Sequence, residues 1–149
     1  MICGVDATVL IYSAIESMPE HPKVLLFFEE RVLTGELKCA VTFQVLLEFI
    51  HITTDPKRFK SPLTLKESFG MVEQYWNASN WNRLFPHSNT GTRTLDLLRS
   101  HGLGRRRLLD TYLAATLLDN RVTTLITCDS TDFEVFEELH LINPLENDR

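Results

Sequence analysis

The sequence predicts a single α/β domain, a parallel β-sheet of four to five strands with helices on both faces. Short apolar runs alternate with longer amphipathic segments along the whole chain. Each run is continuously apolar, as in strands that are buried on both sides. The chain has 149 residues, 44% of them hydrophobic, which is enough for one core and too little for two. We therefore expect residues 1–149 to form one domain.

The strands are predicted from β-prone runs bounded by polar or helix-capping residues. They are residues 2–5, 38–41, 81–85, 123–127 and 141–142. In an open parallel sheet the functional crevice lies at the carboxyl ends of the strands. Polar residues that directly follow a strand are therefore the first candidates for a site.

The helices are indicated by their start signals. Pro22 suits the first position of a helix, and Thr42 is placed to cap the helix after the second strand. Capping boxes begin at Thr64 and at Thr131. The predicted helices are residues 8–15, 22–33, 43–52, 64–78, 92–101, 110–118 and 131–139.

Composition favours an ordinary cytoplasmic protein. The formal net charge is −5, so a general attraction to nucleic acid is not expected. Cys3, Cys39 and Cys128 show no metal-binding spacing and are expected to be reduced, buried thiols. The first apolar run lacks the features of a signal peptide, and no run is long enough to span a membrane.

Four acidic residues lie in or against apolar runs, where a carboxylate is costly. They are Asp6, Glu48, Asp110 and Asp129. Burying an unpaired carboxylate costs several kcal/mol, so such acids usually share a cation or a network of hydrogen bonds. Mg²⁺, or Mn²⁺ in its place, prefers oxygen ligands and would satisfy all four. The sequence therefore predicts a metal-dependent active site.

Each acid also has a structural alternative. Asp6 and Asp110 are suited to cap helices, and Asp129 to cap a turn. Glu48 is suited to a buried salt bridge with an arginine. Capping does not explain why all four fall at strand ends or on the inner faces of helices, which favours the shared site.

Carboxylate-held Mg²⁺ or Mn²⁺ is typical of phosphodiester hydrolysis, in which the ion activates water and stabilises the reacting oxygens. Arg105, Arg106 and Arg107 directly precede the Asp110 helix. These side chains are candidates to neutralise the phosphates of a nucleic acid. A solvated surface loop is the alternative.

Four segments, taken in chain order, resemble the PIN-domain nucleases, in particular the VapC-type toxins of bacterial toxin–antitoxin pairs. The segments are Val5-Asp6-Ala-Thr-Val-Leu-Ile-Tyr12, Thr42-Phe-Gln-Val-Leu-Leu-Glu48, Leu109-Asp110-Thr-Tyr-Leu-Ala-Ala115 and Thr127-Cys-Asp-Ser-Thr-Asp-Phe133. Each is short, but four in order with suitable spacing are fairly specific. The resemblance spans nearly the whole chain.

The resemblance implies an endoribonuclease that needs Mg²⁺ or Mn²⁺, is held inactive by a small antitoxin protein and pairs as a homodimer. It makes Asp6, Glu48, Asp110 and Asp129 the catalytic carboxylates and metal ligands. Thr8, Thr127 and Asp132 are expected around them, and Asp132 competes with Asp129 for the fourth acidic position. We favour Asp129, which lies at the strand end.

Two other classes of function remain. The first is a catalytically inactive PIN module that binds RNA or a protein. Thr8 favours it slightly, since many relatives have Asn there and a threonine is expected to loosen the hydrogen bonding around Asp6. The second is a receiver-like signalling domain, which needs a lysine late in the chain. The only lysine after Thr64 is Lys66, which disfavours that class.

Overall fold

A computed structural model describes residues 1–146 and shows one sheet of five strands. The strands are β1 (Ile2–Val5), β2 (Lys38–Thr42), β3 (Asn82–Leu84), β4 (Thr124–Ile126) and β5 (His140–Ile142). Their order across the sheet is β3-β2-β1-β4-β5. Every pair of neighbouring strands is parallel. The predicted fold class is confirmed.

Seven α-helices connect these strands. They are α1 (Ala7–Ala14), α2 (His21–Phe27), α3 (Phe43–Thr53), α4 (Leu65–Asn77), α5 (Thr90–Ser100), α6 (Leu108–Asp119) and α7 (Ser130–Phe133). Right-handed crossovers place α1 to α4 on one face of the sheet and α5 to α7 on the other. Within residues 1–146, no helix combines the length and apolar character needed to cross a membrane.

The chain reverses direction across the sheet between β1 and β4. The first crossovers build the sheet from β1 towards β3, and the later ones build it from β4 towards β5. At such a switch point the loops that leave the two strands diverge and open a crevice at their carboxyl ends. Asp6 follows β1 at this point, and Thr127 follows β4.

Helix α6 lies directly on β1. A Cβ atom added to Gly4 would lie 2.6 Å from Cδ2 of Leu117, closer than real contacts allow. Any side chain at this position of β1 would force Leu117 to move, so the close packing favours glycine. Asp110 lies two helical turns before Leu117, which carries it towards the carboxyl edge of the sheet.

The predicted helix over residues 22–33 is interrupted. After α2 the backbone widens into a π-helical turn, Phe28–Val32, in which the amide of Leu33 donates to the carbonyl of Phe28. Phe27 and Val32 are both buried, and their spacing of five residues brings them to one face only in the wider turn.

The capping box at Thr64 is confirmed, but the one predicted at Thr131 is wrong. Helix α7 begins at Ser130 and has only four residues, with no side-chain cap. Phe133, Phe136 and Leu139 are buried at intervals of three, and the amides of Phe136 and Leu139 donate to the carbonyls three residues earlier. Successive tight turns thus replace the predicted helix to residue 139.

Candidate active site at the carboxyl edge of the sheet

Asp6 lies at the centre of the crevice and is 5% exposed. Its Oδ1 accepts a hydrogen bond from the amide of Ala7 at 2.8 Å, which caps α1. Its Oδ2 accepts from the hydroxyls of Thr127 at 2.8 Å and Thr8 at 3.0 Å. Asp6 thus fills the capping role considered from the sequence and also presents a carboxylate at the switch point.

Burial raises the pKa of Asp6, while the hydrogen bonds from Thr127, Thr8 and Ala7 oppose the rise and the negative charge of Asp129 adds to it. The site therefore tolerates this buried charge chiefly through donated hydrogen bonds.

Thr8 and Thr127 also link the loop after β4 to Asp6 by hydrogen bonds. The Thr8 hydroxyl accepts from the amide of Cys128 at 3.2 Å, and the Thr127 hydroxyl accepts from the amide of Asp129 at 3.0 Å. The Thr8 hydroxyl thus bonds directly to Asp6, and whether it holds Asp6 less firmly than asparagine stays a prediction.

Glu48 lies on α3, half-buried, and its charge acts on Asp6 and Asp110. Burial raises the pKa of Glu48; the hydrogen bond from Gln44 opposes the rise, and the charge of Asp6 adds to it. Among residues 1–146 no cation pairs with Glu48, so the predicted alternative of a salt bridge is not formed there.

Gln44 joins the site although sequence reasoning gave it no role. Its amide nitrogen lies 3.3 Å from Oε1 of Glu48 and 3.4 Å from the carbonyl oxygen of Leu109, so it bridges α3 to the start of α6. The signal available in the sequence is its position four residues before Glu48, on the same helix face.

Asp110 is the third residue of α6 and does not cap the helix, since Arg107 occupies the cap position. Burial raises the pKa of Asp110 to about 7; the charges of Asp6, Asp132 and Glu48 add to the rise, and the charge of Arg107 opposes it. Asp110 therefore lies among like charges that a single guanidinium only partly offsets.

Asp129 and Asp132 flank the start of α7. Asp129 is exposed as a residue, but its carboxyl is partly desolvated by the surrounding protein. This desolvation and the charge of Asp132 both raise the pKa of Asp129. Asp129 acts electrostatically on Asp6, whereas Asp132 acts on Asp110. Both acids therefore border the crevice, and each acts on a different carboxylate of the group.

No family model matches the chain. A sequence relative is the ribonuclease VapC24 of Mycobacterium tuberculosis, which is 25% identical over 145 residues. The match covers 97% of this chain and 98% of the relative. The likeness therefore extends from end to end and is not confined to one motif.

Solved structures with the same architecture come from several bacteria. VapBC-1 of nontypeable Haemophilus influenzae gives a TM-score of 0.67 at 18% identity, covering 98% of this chain and 100% of its own. VapC20 of M. tuberculosis, a toxin that cleaves the sarcin–ricin loop, gives 0.64 at 10% identity, covering 84% and 87%. A toxin–antitoxin complex from Klebsiella pneumoniae gives 0.62 at 16% identity, covering 97% and 99%.

The fold is that of a VapC-type PIN domain. The resemblance inferred from the four segments is thereby confirmed.

In this PIN fold the acids converge without forming a finished metal site. Among residues 1–146, no three Asp, Glu, His or Cys side chains are already close enough to share one ion. Their donor chemistry nevertheless fits Mg²⁺ or Mn²⁺, because it consists of carboxylate oxygens supported by hydroxyls. Burial, together with the like charges of Asp6, Asp132 and Glu48, raises the pKa of Asp110 to about 7, as expected for acids grouped without a cation.

The three predicted substrate-binding arginines of the PIN domain have different surroundings. They form a short 3₁₀ turn, Arg105–Arg107, directly before α6. Arg105 and Arg106 are exposed. The Arg107 side chain is 25% exposed, and its Nε lies 3.7 Å from Oδ2 of Asp110. Only the first two present their charge freely to solvent.

Proposed function

We propose that this protein is a Mg²⁺- or Mn²⁺-dependent endoribonuclease and the toxin of a type II toxin–antitoxin system. The observation that carries the proposal is the group of carboxylates that act on Asp110. This group lies at the switch point, where open α/β sheets bind their ligands. The ribonuclease VapC24 and the sarcin–ricin-loop-cleaving toxin VapC20 support RNA as the substrate.

The residues proposed to hold the ion are Asp6, Glu48, Asp110 and Asp129. When bound, Mg²⁺ or Mn²⁺ would lower the pKa of a coordinated water and neutralise charge on the reacting phosphate. The role of this chain's own residues is to bring the carboxylates together and to fix their orientation.

Hydrogen-bond donors around the acids provide that orientation. Thr127 and Thr8 both donate to Oδ2 of Asp6, and Gln44 donates to Glu48. Ligands supported in this way lose less conformational freedom when an ion binds, so each bond contributes to metal affinity. Asp132 lies near enough to act on Asp110 and is the alternative to Asp129 as the fourth acid.

Exposed positive charge beside the acids supports RNA binding. Arg105 and Arg106 precede α6 by one turn and face solvent, so their guanidinium groups are placed to neutralise phosphates next to the scissile bond. Because the protein as a whole carries a charge of −5, this local cluster is needed to hold RNA against general repulsion.

We propose a small antitoxin as the protein partner, supported by the toxin–antitoxin complex from K. pneumoniae that shares this fold. The homodimer implied by the family resemblance is part of the same proposal. Purification of this protein from its native cells, followed by identification of any small protein bound to it, tests the partner directly. Isolation of this chain without any bound small protein would contradict it.

A catalytically inactive PIN module is the second candidate. It is favoured by one observation, that no three metal-ligating side chains within residues 1–146 are already in place for an ion. Such a module would bind RNA or a protein without cleaving, and its melting temperature would not rise with Mn²⁺.

An RNA cleavage assay separates the two candidates. Purified protein is incubated with a structured RNA in Mn²⁺ or in EDTA, beside the variants D110N and D96N. Asp96 is the matched control because its side chain is 69% exposed on α5, paired only with Arg99 within residues 1–146. We expect Mn²⁺-dependent cleavage by the wild type and D96N and none by D110N. Cleavage that survives both EDTA and D110N would contradict the proposed function.

A further inference from the structure

Arg107 has an unusual combination of charge and burial. Its Nε and Nη2 are both shielded from solvent, and neither has a hydrogen-bond partner among residues 1–146. Buried donors on a charged group are strongly unfavourable when they are left unbonded. The neighbouring Arg105 and Arg106 are exposed and face no such cost.

These two nitrogens form the edge of a guanidinium that makes paired hydrogen bonds to a carboxylate. Arg31 uses the same edge on Glu36, with Nη2 at 2.9 Å and Nε at 3.3 Å from Oε1. In Arg107 the Nε is 3.7 Å from Oδ2 of Asp110, an ion pair without a hydrogen bond. A shift of about 0.8 Å would bring the two atoms to ordinary hydrogen-bond distance.

The charges around Asp110 are unevenly balanced. Asp6, Asp132 and Glu48 all act on Asp110 with like charge, and Arg107 is the opposing cation. A divalent ion held by these acids would offset their like charge, and Arg107 would then hold the Asp110 carboxylate in place. An RNA phosphate has no comparable access, because the bonding edge of Arg107 is closed to solvent.

We propose that Arg107 is a positioning residue for Asp110 and that, within the arginine run, RNA is contacted by Arg105 and Arg106 alone. The inference rests on the proposed metal-dependent function. It gives Arg107 a different role from the substrate contact predicted from the sequence. Paired hydrogen bonds from the Nε–Nη2 edge would fix the orientation of the Asp110 carboxylate, which is a proposed ligand of the ion.

Two binding measurements test this division of roles. Mn²⁺ affinity is measured by calorimetry without RNA for the full-length wild type and for R105Q, R106Q, R107Q and R107K. RNA affinity is measured by fluorescence anisotropy in EDTA across a series of salt concentrations. Melting curves confirm that each variant is folded, and R107K, which keeps the charge, serves if R107Q does not fold.

We expect R107Q to weaken Mn²⁺ binding by about 10- to 100-fold, as loss of a residue that orients a metal ligand does. The slope of RNA affinity against salt concentration should be the same for R107Q as for the wild type. R105Q and R106Q should each lower that slope by roughly 0.7 and leave Mn²⁺ affinity unchanged. R107K should restore little of the Mn²⁺ affinity, because an ammonium group cannot form the paired bonds.

Three results would overturn the inference. Wild-type Mn²⁺ affinity in R107Q would leave Arg107 a purely structural role. Tighter Mn²⁺ binding would show that Arg107 opposes the ion by charge. A lowered salt slope would show that it contacts RNA. If the wild type itself binds no Mn²⁺, the proposed function fails and the inference fails with it.

Discussion

Replacing Asp110 by Asn is expected to stabilise the metal-free protein and, in the same step, to abolish its response to Mn²⁺. The carboxyl is partly buried and lies among like charges, and these two causes raise its pKa from 3.8 to about 7. That difference corresponds to ~4 kcal/mol if it is transmitted fully to folding. The side chain is 29% exposed, so solvent screening reduces the expected gain to roughly 1–3 kcal/mol.

The sign of the pH dependence follows from the raised pKa. Below pH 3.8 the carboxyl is protonated in both the folded and the unfolded chain, so Asp110 does not lower the free energy of unfolding. As the pH rises towards 7, the unfolded chain ionises first and the folded state loses stability. The gain in free energy of unfolding of D110N over the wild type should therefore be small near about pH 4.5 and complete near about pH 8.

Thermal melts in EDTA at the two pH values measure the effect. For a chain of this size, 1 kcal/mol moves the melting temperature by roughly 2–4 °C, so D110N should melt about 3–10 °C higher near pH 8. D96N, a surface change, should stay within about 0.5 kcal/mol of the wild type. Saturating Mn²⁺ should then raise the wild-type melting temperature and leave that of D110N unchanged. An unaltered or lowered stability of D110N at the higher pH would refute the clustering of acids around Asp110.

Three further changes test the supporting structure. T127V removes a donor from Asp6 and should cost about 1–3 kcal/mol in urea unfolding and slow RNA cleavage, with T127S restoring both; wild-type behaviour of T127V would contradict this. Q44A removes the bridge from α3 to α6 and should lower Mn²⁺ affinity with under about 1.5 kcal/mol lost in stability; unchanged affinity would leave Gln44 without a role. G4A forces a Cβ against Leu117 and should cost about 1–3 kcal/mol in the same unfolding assay, and a neutral result would mean that the Leu117 side chain repacks without cost.

Most of the sheet could be predicted from sequence because β1, β2 and β4 are largely apolar runs bounded by capping or turn residues, whereas only Leu84 is buried in β3. The capping box at Thr64 was equally readable, since both of its hydrogen bonds are local in sequence. The π-helical turn after α2 could not be predicted from sequence, because it depends on Phe27 and Val32 both reaching one core. The prediction of a helix over residues 131–139 is wrong for the same reason, because burial of Phe136 and Leu139 overrides the local start signal at Thr131.

The candidate site shows the same division between local and long-range information. The acids were found from their apolar context, and Asp6 and Thr127 do meet where β1 and β4 end. The contribution of Gln44 depends on α6 approaching α3, and the closed edge of Arg107 depends on how the turn before α6 packs. Neither follows from spacing along the chain, because both are set by contacts between distant segments.

The most direct test of the central claim is anomalous X-ray diffraction from crystals grown with Mn²⁺. We expect a manganese peak at the carboxyl edge of the sheet, within about 2.5 Å of carboxylate oxygens of both Asp6 and Asp110. A well-ordered crystal soaked in saturating Mn²⁺ that shows no ion between these two residues would contradict the account.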